Sequence, residues 1–177
     1  MPRILMRAGV ALLALIAVAC DDEQLGPDMA QSSSGTVEAQ ISGSPGDRAA
    51  IQEIVNTFDR TWGVDAATYA AQYASADFVG PTGQVLTTAE EILELYTNIF
   101  PAFAGTTRRS QIRALTFLTG TLAVLDIDTR VSGALPPFVT PWQPGITRAL
   151  EKNILSKRGG EWRIVQHQQV LVAPGVE

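Results

Sequence analysis

The chain is predicted to fold as an α+β domain, three helices laid on one face of a curved, mostly antiparallel sheet, and three observations predict it. Apolar residues recur at helical spacing in the first part of the chain. β-Branched and aromatic residues alternate through four long runs in the second part. Turn chemistry separates those runs at Thr119-Gly120, in the Pro-rich stretch Ala134 to Gly145, and at Gly159-Gly160, the pattern of an antiparallel meander.

Each element has its own signal. Ser44-Pro45-Gly46-Asp47 reads as a helix start, with a Ser cap, Pro at the first helical position and Asp three residues after the cap. Ile51, Ile54, Val55, Phe58 and Trp62 then define one apolar face. A break at Gly63 and a cap at Asp65 lead into a shorter second helix carrying Tyr69 and Tyr73. Asp77-Phe78-Val79 and Gln84-Val85-Leu86 flank the turn Gly80-Pro81-Thr82-Gly83 as a small hairpin. Thr88-Ala89-Glu90-Glu91 is a capping box, continued at helical spacing by Ile92, Leu95, Tyr96 and Ile99 and stopped by Pro101. Strands are expected at Gln111 to Leu118, Leu122 to Val131, Arg148 to Ser156 and Trp162 to Val172. No internal repeat is present.

The 177 residues divide into a leader at 1–19, a Ser-, Gly-, Gln- and acid-rich tether at 20–46, and one domain's worth of core-forming chain at 47–175. Losing Arg3 and Arg7 with the leader takes the 13 basic residues to 11 against 18 acidic, a net charge of −7. Such a balance argues against a nucleic-acid partner, because phosphate binding needs a basic surface. The single cysteine, Cys20, cannot form an internal disulfide. Its acidic neighbours Asp21-Asp22-Glu23 suit a membrane surface better than a core, against the alternative of a buried thiol ending an apolar helix.

Two resemblances follow from these residues. The leader, with Arg3 and Arg7 before Leu12 to Ala19, resembles a bacterial lipoprotein signal peptide, and Ala17-Val18-Ala19-Cys20 resembles its lipobox, Ala17 replacing the usual larger aliphatic. This implies a secreted lipoprotein, membrane-anchored by lipid at Cys20 on the extracytoplasmic side of the bacterial cell envelope. The order of elements from Asp47 to Ala173 resembles the nuclear transport factor 2-like, or SnoaL-like, superfamily of cone-shaped domains. The nearest group is SgcJ/EcaC, by Trp62, Phe78-Val79, Gly83, Thr88 to Glu91 and Gly159-Gly160-Glu161-Trp162-Arg163-Ile164 with Gln168-Gln169. The resemblance implies a pocket between helices and concave sheet, used in the superfamily for isomerase, cyclase, hydrolase or dehydratase chemistry or for binding alone, and it implies a homodimer packed sheet to sheet.

Strand alternation sets Trp162, Ile164, Gln166, Gln168 and Val170 on one face of the last strand, with Arg163, Val165, His167, Gln169 and Leu171 on the other. By the resemblance the Trp face lines the cone, so Gln166 and Gln168 enter it and His167 points away. His167 has no second His or Cys to complete a metal shell, so neither a metal nor a cofactor is expected. Asp126, Asp128 and Arg130 share the polar face of the strand Leu122 to Val131. They form a solvated face, or, if that face opens into the cone, Asp126 or Asp128 serves as a catalytic base. Arg148 and Glu151 are pocket groups or a cross-strand pair. Trp62, Tyr69, Tyr73, Tyr96, Phe100 and Trp162 are candidate pocket walls, though their spacing equally suits core packing. Phe103 belongs with them, and the loop Pro136 to Gly145 is a lid or a rigid connection. The expected function is binding of a small, mostly apolar molecule. The rivals are an enzyme using a pocket Asp with Gln168, and an assembly module.

Overall fold

The computed structural model describes residues 43–133, 147–173 and 175. Cys20, the leader, most of the tether and the loop Pro136 to Gly145 lie outside the described residues. Helix α1, Pro45–Thr61, starts as its sequence predicts: the Ser44 hydroxyl accepts the Asp47 N–H and Pro45 occupies the first turn. It buries Ile51, Ile54, Val55 and Phe58 and ends at Trp62.

Gly63 then reverses the chain at φ +66°, and a Cβ there would lie 2.7 Å from the Phe103 carbonyl oxygen. That contact is backbone and cannot swing aside. Gly63→Ala is therefore expected to cost about 1–3 kcal/mol, read as a lower denaturation midpoint.

Helix α2 is short, Ala66–Ala70, capped by the Asp65 carboxylate on the Thr68 N–H. It stops before Tyr73, which instead opens strand β1, Tyr73–Val79. The two-residue strand β2, Val85–Leu86, pairs back on β1. Helix α3, Ala89–Ile99, carries both halves of its capping box and runs into a 3₁₀ turn, Phe100–Phe103. Four long strands follow: β3 Thr107–Thr119, β4 Leu122–Ser132, β5 Arg148–Arg158 and β6 Glu161–Val172.

They make one six-stranded sheet in the order β2-β1-β6-β5-β4-β3. All neighbours are antiparallel except β1 and β6, which run parallel. The α+β class is as predicted. The helices and the inward face of the sheet share one apolar core, with Ala123, Leu125, Ile127, Val131, Ala149, Leu155 and Ile164 fully buried. The end of the β5–β6 hairpin is clasped to α1: one Asp47 carboxylate oxygen accepts from Lys157 Nζ at 2.7 Å and from the Trp162 indole N–H at 2.9 Å. Those bonds, Lys157 first, hold the Asp47 carboxyl well below the usual range.

Strand β6 does not keep one parity along its length. Leu155 pairs with Ile164 but Ile154 pairs with Gln166, so an extra residue, Val165, is taken up in a bulge. Before it, Trp162 and Ile164 face inward; after it the inward residue is His167.

Candidate functional site

The bulge corrects the expected lining of the cone. Gln166 and Gln168 are exposed on the outer face of the sheet, because one extra residue exchanges the faces of everything beyond it. His167, expected to point away, is instead 2% exposed in the interior. Its ring stacks on Phe78 at 4.6 Å between centroids and meets the Tyr73 ring edge-on at 5.6 Å.

Directly opposite on β5 is Asn153, fully buried, with its Oδ1 2.8 Å from His167 Nδ1. An amide oxygen only accepts, so Nδ1 carries the hydrogen and Nε2 keeps a lone pair. Burial pushes the imidazole pKa down to about 4, against the pull of Glu151 in the other direction. His167 is neutral at physiological pH. Its Nε2 and the Asn153 amide nitrogen are both buried without a hydrogen-bond partner among the described residues.

Beside this pair lies a buried ion cluster. Arg108, near the start of β3, is 2% exposed, and Glu151, two residues before Asn153 on β5, is 4% exposed. Arg108 Nη2 donates to both Glu151 oxygens at 2.9 and 3.1 Å and to Thr129 Oγ1 at 3.1 Å, while Nη1 donates to Asp59 on α1 at 2.9 Å. Asp59 also accepts the Ser110 N–H and hydroxyl. The guanidinium carbon sits 5.2 Å from the centre of the Phe58 ring. Burial alone would raise the Glu151 carboxyl, but Arg108 outweighs it and holds the group below its usual range. Gln169 Nε2 reaches the same carboxylate at 3.4 Å.

The expected aromatic wall is brought together. Trp62, Tyr69, Tyr73, Tyr96 and Phe100 are all buried and in mutual ring contact, with Tyr69 and Tyr96 at 4.4 Å and Trp62 and Phe100 at 5.5 Å. The Tyr73 and Tyr96 hydroxyls meet at 3.5 Å, and burial raises the pKa of both. Trp162 is buried too, but it packs on Phe117 at the hairpin end with its N–H on Asp47.

The expected catalytic acids are not in the interior. Asp126 and Asp128 lie on the outer face, since Ala123, Leu125, Ile127, Thr129 and Val131 of the opposite parity take the core side. Asp128 accepts from Arg148 Nε at 3.0 Å and Nη2 at 2.7 Å, and those bonds keep its carboxyl below the usual range. Asp126 is within 3.2 Å of Lys152 Nζ. Both sit in the reading that makes this a solvent-side face. That face carries an open recess of about 330 Å³ whose lining includes Arg113, Asp126, Leu150, Lys152, Gln168 and Val170.

Arg108 and Asn153 are interior groups that the sequence reading passed over. Asn153 had a signal: it shares strand parity with Ala149, Glu151 and Leu155. Among the described residues no cluster of three metal-ligating side chains occurs.

Searches for a matching family model and for curated relatives found none. Solved structures do match. The chain is similar to a domain of unknown function with a cystatin-like fold from Nostoc punctiforme, at 21% identity and TM-score 0.63, over 75% of this chain and 81% of that one. It is similar to a nuclear transport factor 2-like protein of unknown function from Shewanella oneidensis, at 14% identity and TM-score 0.57, over 70% and 98%. A putative scytalone dehydratase from Novosphingobium aromaticivorans aligns at 12% identity and TM-score 0.56, over 72% and 85%. The fold is therefore the cystatin-like, nuclear transport factor 2-like cone, and at these identities the likeness establishes the fold alone.

Proposed function

We propose that this chain is a lipid-anchored, extracytoplasmic domain of a bacterial cell envelope, nearest the SgcJ/EcaC group, that binds a small, mostly apolar molecule inside its cone. The observation that carries the reading is the partly unsatisfied His167–Asn153 pair set among Phe78, Tyr73 and the neighbouring Tyr96. Buried polar atoms without partners are rare, and an apolar site with a few such atoms is how ligand pockets are built. Native mass spectrometry of the full chain purified in detergent from its host is expected to show a dimer with a co-purified small molecule. An empty monomer would end this reading. The outer sheet face, with its recess and half-exposed Val170, supports homodimer contact there.

A second reading is favoured by one atom. His167 Nε2 holds a buried lone pair and could take a proton from a carbonyl compound, giving an isomerase-, cyclase- or hydrolase-type enzyme with His167 in the place first given to Asp126 or Asp128. Its pKa of about 4 makes it a weak base at neutral pH, which ranks catalysis below binding.

For the anchor, metabolic labelling with a radioactive fatty acid is expected to tag the wild-type chain and not Cys20→Ser. Equal labelling of both, or of neither, removes the lipid from the proposal.

A further inference from the structure

The open recess on the outer sheet face runs across β4 and β5 from one bulged strand, β3, to another, β6. We propose that it is a second binding site, which takes a small carboxylic acid with an apolar body, and that Arg113 receives the carboxylate. None of the interior groups takes part, so this site stands or falls without them.

Both margins of the recess are set by the bulges. On β3 the register slips between Ile112 and Ala114, so Arg113 is the extra residue and, together with Ala114, opposes Asp126. A bulge bends its strand, and here the bend carries a long cation to the rim of a hollow. On β6 the bulge at Val165 is what turns Gln168 and Val170 to the outer face, where both line the same hollow. The lining is divided. Leu150 and Val170 are direct cross-strand partners and form an apolar half. Asp126, Lys152 and Gln168 are neighbours in the adjoining cross-strand row and form a polar half beside Arg113.

Charge selects the head group. Asp126 is taken by Lys152 at 3.2 Å, and Asp128, in the next row, by Arg148 at 2.7 Å. Arg113 ranks last among the cations that act on Asp128, and it makes no hydrogen bond or ion pair with any described residue. Beyond Asp128 the register sets Arg109 opposite Arg130 and Arg130 opposite Arg148, three like charges in one cross-strand row. Such a row repels itself, and its field favours an anion nearby. A carboxylate fits best, because the planar guanidinium fork donates to both of its oxygens at once. Covering Leu150 and half-exposed Val170 favours a hydrocarbon body behind that head. At about 30 Å³ for each water in the liquid, a recess of about 330 Å³ has room for roughly ten non-hydrogen atoms, the size of a short acid.

The test titrates the full chain, in a neutral detergent at neutral pH and low salt, with hexanoate, hexanamide, hexylammonium and acetate while its backbone amide resonances are followed. Hexanoate is expected to bind at least about tenfold tighter than each of the others and to shift the amides of Arg113, Lys152 and Val170. Its advantage over hexanamide should vanish in Arg113→Gln, and its binding should be lost in Val170→Asp. Both positions are exposed, so neither change disturbs the core. Equal affinity for hexanoate and hexanamide, or for hexanoate and acetate, overturns the assignment. So does hexanoate that binds Arg113→Gln as tightly as wild type while shifting the amides of Phe78 and His167, a result that places the acid in the cone instead. A dimer that Arg113→Gln dissolves with no acid present gives Arg113 to the subunit contact and also overturns it. Failure of all four probes to bind ends this inference and leaves the cone reading to native mass spectrometry.

Discussion

Glu151→Ala is expected to destabilise the domain by about 3–5 kcal/mol, roughly a fifth or more of the 5–15 kcal/mol that a domain usually has. The loss comes less from the missing bond than from what remains. Arg108 keeps its charge, 2% exposed, with Nη1 still on Asp59 but Nη2 facing only Thr129. Asp59 is partly solvated and compensates incompletely, which sets the effect toward the lower end of the range. Urea denaturation of the single and double variants separates pair from packing. Arg108→Met with Glu151→Leu should recover most of the lost stability, because two apolar groups of similar volume need no partner. A single variant within about 0.5 kcal/mol of wild type would mean that the cluster is solvated, and the interior described above would be wrong.

The second large effect is a dependence of stability on pH between about 6.5 and 4. His167 has its pKa lowered from 6.5 to about 4 in the fold, first by burial. In that window the unfolded chain binds a proton that the folded chain refuses, so stability is complete above about pH 6.5 and falls as pH drops toward 4. The difference of 2.5 units amounts to about 3 kcal/mol at the bottom of the window. The chain has no other histidine, and the Glu53, Glu91 and Glu151 carboxyls, all lowered, begin to cost stability only from about a unit above their ordinary value of 4.5. The slope between about pH 6.5 and 5.5 therefore belongs to His167. Denaturation curves at several pH values should show it in wild type and lose it in His167→Phe. A flat wild-type profile over that range would show that the ring is hydrated in the folded state.

Much of the framework was legible because local chemistry specified it. Ser44, Asp65 and the Thr88–Glu91 box capped the helices they were read to cap, since a side-chain oxygen three residues from an N–H is a local arrangement that needs no tertiary help. The parity of β4 was legible for the same kind of reason: its apolar residues alternate without interruption. Tyr73 was misplaced into α2 because an aromatic four residues after Tyr69 fits a helix, and only the pairing of β1 with β6 draws it into a strand. The interior of the site was the least legible. A bulge leaves no mark in composition, yet the one at Val165 exchanged the faces of Gln166, His167 and Gln168. Arg108 was missed because the strand was expected to begin only at Gln111, whereas β3 starts at Thr107 and takes Arg108 into the sheet. Its burial depends on Asp59 and Glu151, 49 and 43 residues away in sequence.

The sheet order also dictates when this protein can fold. Strand β6, the last strand of the sheet in chain order, is seated between β1 and β5, so the β1–β2 ribbon has no lateral neighbour until β6 has been made. The parallel seam joins residues about 90 positions apart, such as Phe78 and His167, and few such distant pairings can form on a growing chain. Completion of the core thereby waits for β6, and a truncation that removes β6 leaves behind two fragments of sheet with no seam to unite them.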